Sequence, residues 1–369
     1  MADSLSPVRV AACGCITPFG EAAATHAALL RGECALKAVP VLGRDGGDAV
    51  PLALLPGRTL DETVPPGWLA AVTRLGASIP EGDWGSPEMP VFVTGSNFGI
   101  GSLYALRRSG DASFAAWSSP PGCTELLRVA LGWGPDVSIL SHACVSAHLG
   151  LLQATRVIEA GLADEALVLS FDFLSPFVAG GFHSLKILNA EFPAPYRERD
   201  SGAIGLGDGA GFAVLSRGRG DWRLAGQSLY NEMNHFTSNR ADASGFAHCL
   251  EGVVLAAKGR KVWFKGHGTG TLDAGRLEVA AASRAFPGAP IVGWKGSLGH
   301  TLGSCGLVEL ALAVGSIRTG RAPGTVGSVA PCFTPQVALD AFSTAAYDGV
   351  ICASNAFGGA HAAFLLTHA

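Results

Sequence analysis

Three short stretches of this chain concentrate residue types that do chemistry. The first is Asp136-Val-Ser-Ile-Leu-Ser-His-Ala-Cys144-Val-Ser-Ala-His-Leu-Gly-Leu-Leu-Gln-Ala-Thr-Arg-Val-Ile-Glu-Ala-Gly161. Val137 to Leu140 reads as a buried strand, and from Cys144 onward Ala147, Leu151, Ala154 and Ile158 recur at helical spacing. A cysteine where a strand turns into a helix meets free amide groups and the positive end of the helix dipole, and both favour a thiolate. Cys144 is therefore a candidate nucleophile, with a small buried core thiol as the other reading of this stretch alone. The second and third stretches are Gly266-His-Gly-Thr-Gly-Thr271 and Lys295-Gly-Ser-Leu-Gly-His300. Their histidines sit in glycine-rich turns, where the backbone can approach a substrate closely. A lone histidine is usually structural; two in such turns beside a helix-capping cysteine favour a catalytic site.

The elements that must position these residues read as two similar series. Strands are expected at Val8–Cys13, Val91–Thr94, Val137–Leu140, Glu165–Ser170 and Phe212–Ser216, then at Trp222–Ala225, Lys261–Lys265, Ile291–Trp294, Val350–Ser354 and Ala362–Leu366. A glycine-rich turn is expected at 14–20 and a loop rich in Phe and Gly after Ser170. Helices are expected at Ala22–Leu30, Trp68–Leu75, Glu278–Phe286 and Cys305–Ile317. Residues 38–90, rich in Pro, Gly and Asp, are the least readable. The segment Ser146 to Gly161 lies over Cys305 to Gly320, both ending Ile-x-x-Gly, and each series ends in a Gly/Ala-rich turn and a strand, at 207–216 and 358–366. Alternating strands and helices predict parallel sheets covered by helices. The expected architecture is a duplicated α/β fold with two buried central helices, divided into 1–219 and 220–369. Cys144, His267 and His300 then stand at the carboxyl ends of strands, where open α/β sheets place their sites.

Composition bounds the alternatives. The 369 residues are 48% hydrophobic and 15% charged, enough for an extensive core. A net charge of -4 and a pI near 6.2 argue against a nucleic-acid partner. The nine cysteines lack metal-ligand spacing, Cys13 and Cys15 included, and read as reduced thiols of a cytoplasmic protein. Met1 to Val10 carries no signal peptide, and no apolar run approaches the ~18 residues of a membrane span. Gly95-Ser-Asn-Phe-Gly-Ile-Gly101 is a weak dinucleotide signal, because arginines follow it and no acidic residue stands at the expected distance.

Taken together, these motifs resemble those of the β-ketoacyl-acyl carrier protein synthases, the type II ketosynthases of the thiolase superfamily. The Cys144 stretch is similar to their nucleophile segment, and Gly266-His-Gly-Thr-Gly-Thr271 to their first histidine motif. Lys295-Gly-Ser-Leu-Gly-His-Thr-Leu-Gly-Ser-Cys-Gly-Leu-Val-Glu309 resembles the second, with its lysine, histidine and glutamate. Gly207-Asp-Gly-Ala-Gly-Phe-Ala-Val-Leu215 and Asn355-Ala-Phe-Gly-Gly359 resemble the end of the first half and the closing glycine loop. The resemblance covers 1–35 and 90–369. It implies a thiolase-like fold: duplicated βαβαβαββ halves in a five-layered αβαβα arrangement. It also implies decarboxylative condensation of a malonyl thioester with an acyl chain held on Cys144.

In that scheme His267 and His300 stabilise the enolate, and the amides of Cys144 and Phe357 form an oxyanion hole. Lys295 pairs with Glu309 to hold the site's charge and orient His300. Thr269 and Thr271 bind the phosphopantetheine arm. Phe357, carried on Gly358 and Gly359, gates the tunnel. The implied partners are an acyl carrier protein and a second subunit, identical or a chain-length factor, with no nucleic acid and no membrane insertion. No cofactor or metal is implied beyond the carrier's phosphopantetheine. The chain departs from the family pattern where Gly275 replaces an aspartate with Asp273 shifted, in Arg199 to Gly205, at Ala356 for a glycine, and at His361 for an asparagine. It is also short between 38 and 135. Two other readings are a catalytically silent chain-length factor, which usually loses the cysteine, and a thiolase or coenzyme A-dependent synthase, which the His-Gly-Thr-Gly-Thr motif opposes. The shortened first half suggests a specialised polyketide or aryl-polyene-like pathway.

Overall fold

The computed structural model describes residues 7–41, 48–61, 67–84, 86, 88–235, 237 and 239–369. Its main strands are β1 (Arg9–Thr17), β2 (Val91–Thr94), β3 (Val137–Leu140), β4 (Glu165–Asp172), β5 (Gly209–Ser216), β6 (Trp222–Asn231), β7 (Val262–Lys265), β8 (Ile291–Val292), β9 (Gly349–Ala356) and β10 (Ala360–His368). They run edge to edge in the order β3-β2-β4-β5-β1, then β6-β10-β9-β7-β8. Each half therefore has the same order about the junction. Both pair parallel at the outer positions and antiparallel toward the centre, where β1 meets β6 through Arg9↔Arg223 and Val10↔Trp222.

Alternation along the strands builds the layers. In β4, Ala166 and Val168 pack with Leu151 and Leu307, while Leu167 and Leu169 pack on the opposite face with Trp68, Val72 and Leu127. In β9, Val350 and Cys352 face inward and Ile351 and Ala353 outward, against Phe246, Leu250 and Val279. The inward faces enclose two central helices, α3 (Ser146–Glu159) and α6 (Cys305–Thr319). The outward faces are covered by α1 (Gly67–Gly76) and α2 (Pro120–Leu131) in the first half, and by α4 (Ser244–Ala256) and α5 (Leu272–Ala285) in the second. The result is the αβαβα stack.

Several expectations are corrected. Residues 14–17, expected as a turn, continue β1. A Cβ at Gly14 would meet the Phe212 ring at 2.7 Å, so glycine lets the two strands pass. Part of the loop expected after Ser170 is a helix, Pro176–Ser184, started by Ser175 accepting from the Val178 amide and by proline in its first turn. Helix α5 begins at Leu272, not Glu278. β3 is only partly buried, because it lies at the sheet's open edge. Finally, one 18-residue window among the described residues, Leu302–Thr319, has the mean hydropathy of a membrane span (1.3), and 78% of it is buried inside the protein. A helix enclosed on nearly every side needs the same composition as one in lipid.

Candidate active site

Cys144 stands between β3 and α3. Ala143 adopts a left-handed conformation (φ 46°), and α3 starts at Ser146, two residues beyond the cysteine. The Ser146 hydroxyl accepts from the His142 amide at 2.8 Å and lies 2.7 Å from the Ala143 carbonyl, closing the turn. Cys144 is 9% exposed.

His300 reaches the cysteine from the other half. Its backbone is clamped by the first half's glycine segment: its amide donates to Gly205 O at 2.7 Å, and the Gly207 amide donates to His300 O at 3.0 Å. A Cβ on Gly207 would lie 2.1 Å from Leu298 O, so only glycine allows this approach. The Leu302 amide donates to His300 Nδ1 at 3.3 Å. The neutral ring then carries its hydrogen on Nε2, which lies 3.0 Å from Cys144 Sγ. His267 stands edge-on to His300, ring centroids 4.8 Å apart at 86°. Its loop is tied by Glu278, whose carboxylate accepts from the His267 amide, from the Gly268 amide at 2.9 Å and from the Tyr196 hydroxyl at 2.9 Å.

Burial pushes the Cys144 thiol up, with Cys305 adding to the effect and Lys295 opposing it. The expectation of a helix-favoured thiolate meets an opposing effect: the cysteine sits before the helix and is buried, which disfavours the charged form. His267 and His300 are held well below the usual imidazole value by burial first, then by the Lys295 charge. Both rings are therefore neutral donors.

Lys295 Nζ binds Glu309 Oε1 at 2.6 Å, so this expected pair is formed. The contacts that orient His300 are those from Leu302 and Gly205, not from Lys295. Thr269 and Thr271 are half-buried, their hydroxyls 3.3 Å apart. Phe357 is half-buried and stacks on Phe182 at 5.8 Å, with Gly358 and Gly359 at φ 85° and 72°. Ala356, the residue before it, packs in one small cluster with Cys144 and Val145. The structure thus gathers Cys144, His267 and His300, with Lys295–Glu309 behind them and the Phe357 loop adjoining the cysteine.

Three contributors were not singled out from sequence. Lys265 shares Glu309 with Lys295. Tyr196 holds Glu278. Asp172 accepts from the Ser96, Asn97 and Gly303 amides, at 2.9, 2.8 and 2.7 Å, tying the halves beside the site. For Lys265 the signal was available, a charged residue closing an otherwise apolar strand. Among the described residues no cluster of three or more His, Cys, Asp or Glu side chains could hold a metal ion.

Residues 225–328 match the family described as the β-ketoacyl synthase, C-terminal domain. The chain is similar to known β-ketoacyl synthases. It is 29% identical over 215 residues to the 3-oxoacyl-[acyl-carrier-protein] synthase 2 of Vibrio cholerae, covering 52% of each chain. It is 27% identical over 269 residues to the tetracenomycin polyketide synthase ketoacyl synthase alpha subunit of Streptomyces glaucescens, covering 66% of this chain and 62% of that one. The chain thus spans between about half and three-fifths of these curated synthases. A ketosynthase solved in complex with its chain length factor, from Xenorhabdus doucetiae, superposes with a TM-score of 0.79 at 18% identity over 100% of both chains. The chain shares the fold of that solved complex.

Proposed function

We propose that the protein is a ketosynthase that extends an acyl chain by decarboxylative condensation with malonyl-acyl carrier protein. The observation that carries this is the Nε2–H of His300 placed 3.0 Å from Cys144 Sγ, with His267 edge-on beside it. Cys144 Sγ attacks the acyl thioester, and its proton leaves with the pantetheine thiol. The Cys144 and Phe357 amides receive the oxyanion; one such donor is typically worth about 3 kcal/mol. The malonyl thioester then loses carbon dioxide. The electron pair left behind forms an enolate whose oxygen accepts from the neutral rings of His267 and His300. Its carbon attacks the held acyl group, and Cys144 departs as the thiolate.

Thr269 and Thr271 hold the pantetheine arm, and Phe357, with Gly358 and Gly359, gates the site. Lys295 and Glu309 hold its charge. A cavity of about 340 Å³, lined by Trp68, Tyr104, Phe114, Phe171, Phe173 and Asp172 among others, receives the acyl chain. Asp172 supports this placement, since the same carboxylate ties the segments beside Cys144. Residues 1–219 and 220–369 act as the two halves, supported by their repeated strand order. The carrier's phosphopantetheine is the one prosthetic group required. We place the reaction in the cytoplasm, in a polyketide, aryl-polyene-like or fatty-acid pathway.

A chain-length-factor role is the second reading, supported by the likeness to a solved ketosynthase/chain length factor complex; the retained cysteine and histidines favour the enzyme. Incubation with acyl- and malonyl-acyl carrier protein separates them. The expected results are an acyl adduct mapped to Cys144 and release of carbon dioxide, with His300→Ala keeping the adduct and losing the decarboxylation. An adduct on another thiol, or neither activity in the folded protein, overturns the enzyme reading.

A further inference from the structure

Near the two histidines lies a second buried lysine that the proposed reaction does not use. Lys265 closes β7, two positions before His267, and is fully buried. Its Nζ contacts Glu309 Oε1, the same oxygen that Lys295 Nζ holds at 2.6 Å. It also sits over the Trp294 ring, 5.8 Å from the centroid. Two ammonium groups thus share one buried carboxylate oxygen.

The titratable groups around this cluster come from every packed element. His148 faces it from α3, Cys305 and Glu309 from α6, Cys352 from β9, and Lys295 from the turn before His300. Cys144 and Asp172 lie toward His300 and the first half. Glu278, the carboxylate nearest His267, is already occupied by two amides and the Tyr196 hydroxyl. It keeps its own negative charge, which acts on Lys265 and Lys295 from the His267 side.

We propose that Lys265 is a positioning residue for the dyad: sharing Glu309 with Lys295, it adds a second positive charge near His267 and His300 that keeps both rings in the neutral, N–H-donating form. The inference rests on the proposed condensation, in which each ring must donate while neutral. Burial and the Lys295 charge pull Lys265 below the usual lysine value, while contact with Glu309 holds it up. Both histidines in turn feel Lys265 and Lys295. A neutral side chain at 265 removes one of these charges and makes a second proton on the rings easier to add. The acid limb of decarboxylation then moves to higher pH.

The test compares the parent with Lys265→Met and Lys265→Arg. Lys265→Met leaves Glu309 and Lys295 as a one-to-one buried pair, so no charge is stranded and the variant folds. Lys265→Gln is a second neutral variant. Two readouts are followed from pH 5 to 8: histidine ring signals by NMR, and carbon dioxide release from malonyl-acyl carrier protein. In Lys265→Met we expect a ring titration within this window that the parent lacks. The decarboxylation midpoint should rise by about one pH unit, roughly a tenfold loss on the acid side. Lys265→Arg should restore both. Ring signals that titrate identically in parent and variants overturn the inference whatever the activity. A lower rate with an unmoved midpoint overturns it too, as does failure of both neutral variants to fold while Lys265→Arg folds. If the parent releases no carbon dioxide but the ring titrations separate as expected, the proposed function fails and this inference stands.

Discussion

At the scale of single residues, the site works with a thiol that is protonated at rest. Cys144 is buried, its thiol is pushed up, and the His300 hydrogen faces its sulfur. In the proposed condensation, donation from the ring stabilises sulfur as negative charge develops, and the same N–H becomes available to an enolate oxygen once the sulfur is acylated. The thiol therefore should not behave as a standing thiolate. We expect iodoacetamide to alkylate Cys144 more slowly at pH 7.5 than an unperturbed thiol of pKa about 8.5, with the rate still climbing above pH 9. Alkylation that plateaus below pH 7, followed by peptide mapping, would reveal a thiolate–imidazolium pair and overturn this picture. Cys144, His267 and His300 were legible because glycine turns and a strand-to-helix transition mark them locally. Tyr196 and Asp172 were not, because their partners lie 82 and 131 residues away.

At the scale of elements, the loop after β9 carries Phe357, the proposed gate. Its base is held by a buried chain: His361 Nδ1 lies 2.7 Å from Asn355 Oδ1, and His361 Nε2 lies 3.5 Å from Glu232 Oε2. The Glu232 amide also donates to Gly359 O at 2.9 Å. Thus His361, where the family has asparagine, anchors the loop. Phe357 itself is half-buried against Phe182. Truncating a core phenylalanine costs about 3–5 kcal/mol. Phe357→Ala should cost clearly less while uncoupling decarboxylation from acylation, so that malonyl groups lose carbon dioxide before Cys144 is loaded. Thermal melting and pre-steady-state carbon dioxide release check this. A variant that melts far below the parent with the loading order intact would make Phe357 a core residue.

At the scale of the whole molecule, the two ends of the sheet differ. At β8 the Ile291 amide donates to Gln336 O at 2.8 Å and the Ala338 amide donates to Ile291 O at 2.9 Å, so residues 336–338 cover that edge. At the other end β3 pairs with β2 on one side only, and Ser138 is exposed. An open edge is a template for another strand. We expect a dimer formed across β3, with a second copy or a homologue, and we expect Ser138→Lys to dissociate the self-associated form. Light scattering at micromolar concentration reads the outcome. A parent that is monomeric and fully active removes the edge from the argument.

The sequence by itself determined what local periodicity and glycine placement can encode. That was the duplicated strand–helix series, the two central helices, and the three turns bearing Cys144, His267 and His300. Each depends on neighbours a few residues apart. Tertiary structure decided what depends on burial and on distant partners. Leu302–Thr319 has the mean hydropathy of a membrane span yet forms the core, because the inward strand faces of both halves enclose it. Cys144 has a helix start close by, yet burial pushes its thiol up. Lys265 closes an ordinary apolar strand, and only folding brings it onto the carboxylate that Lys295 already occupies. Charge at a buried site is a sum over groups from many elements, and no single stretch of chain carries that sum.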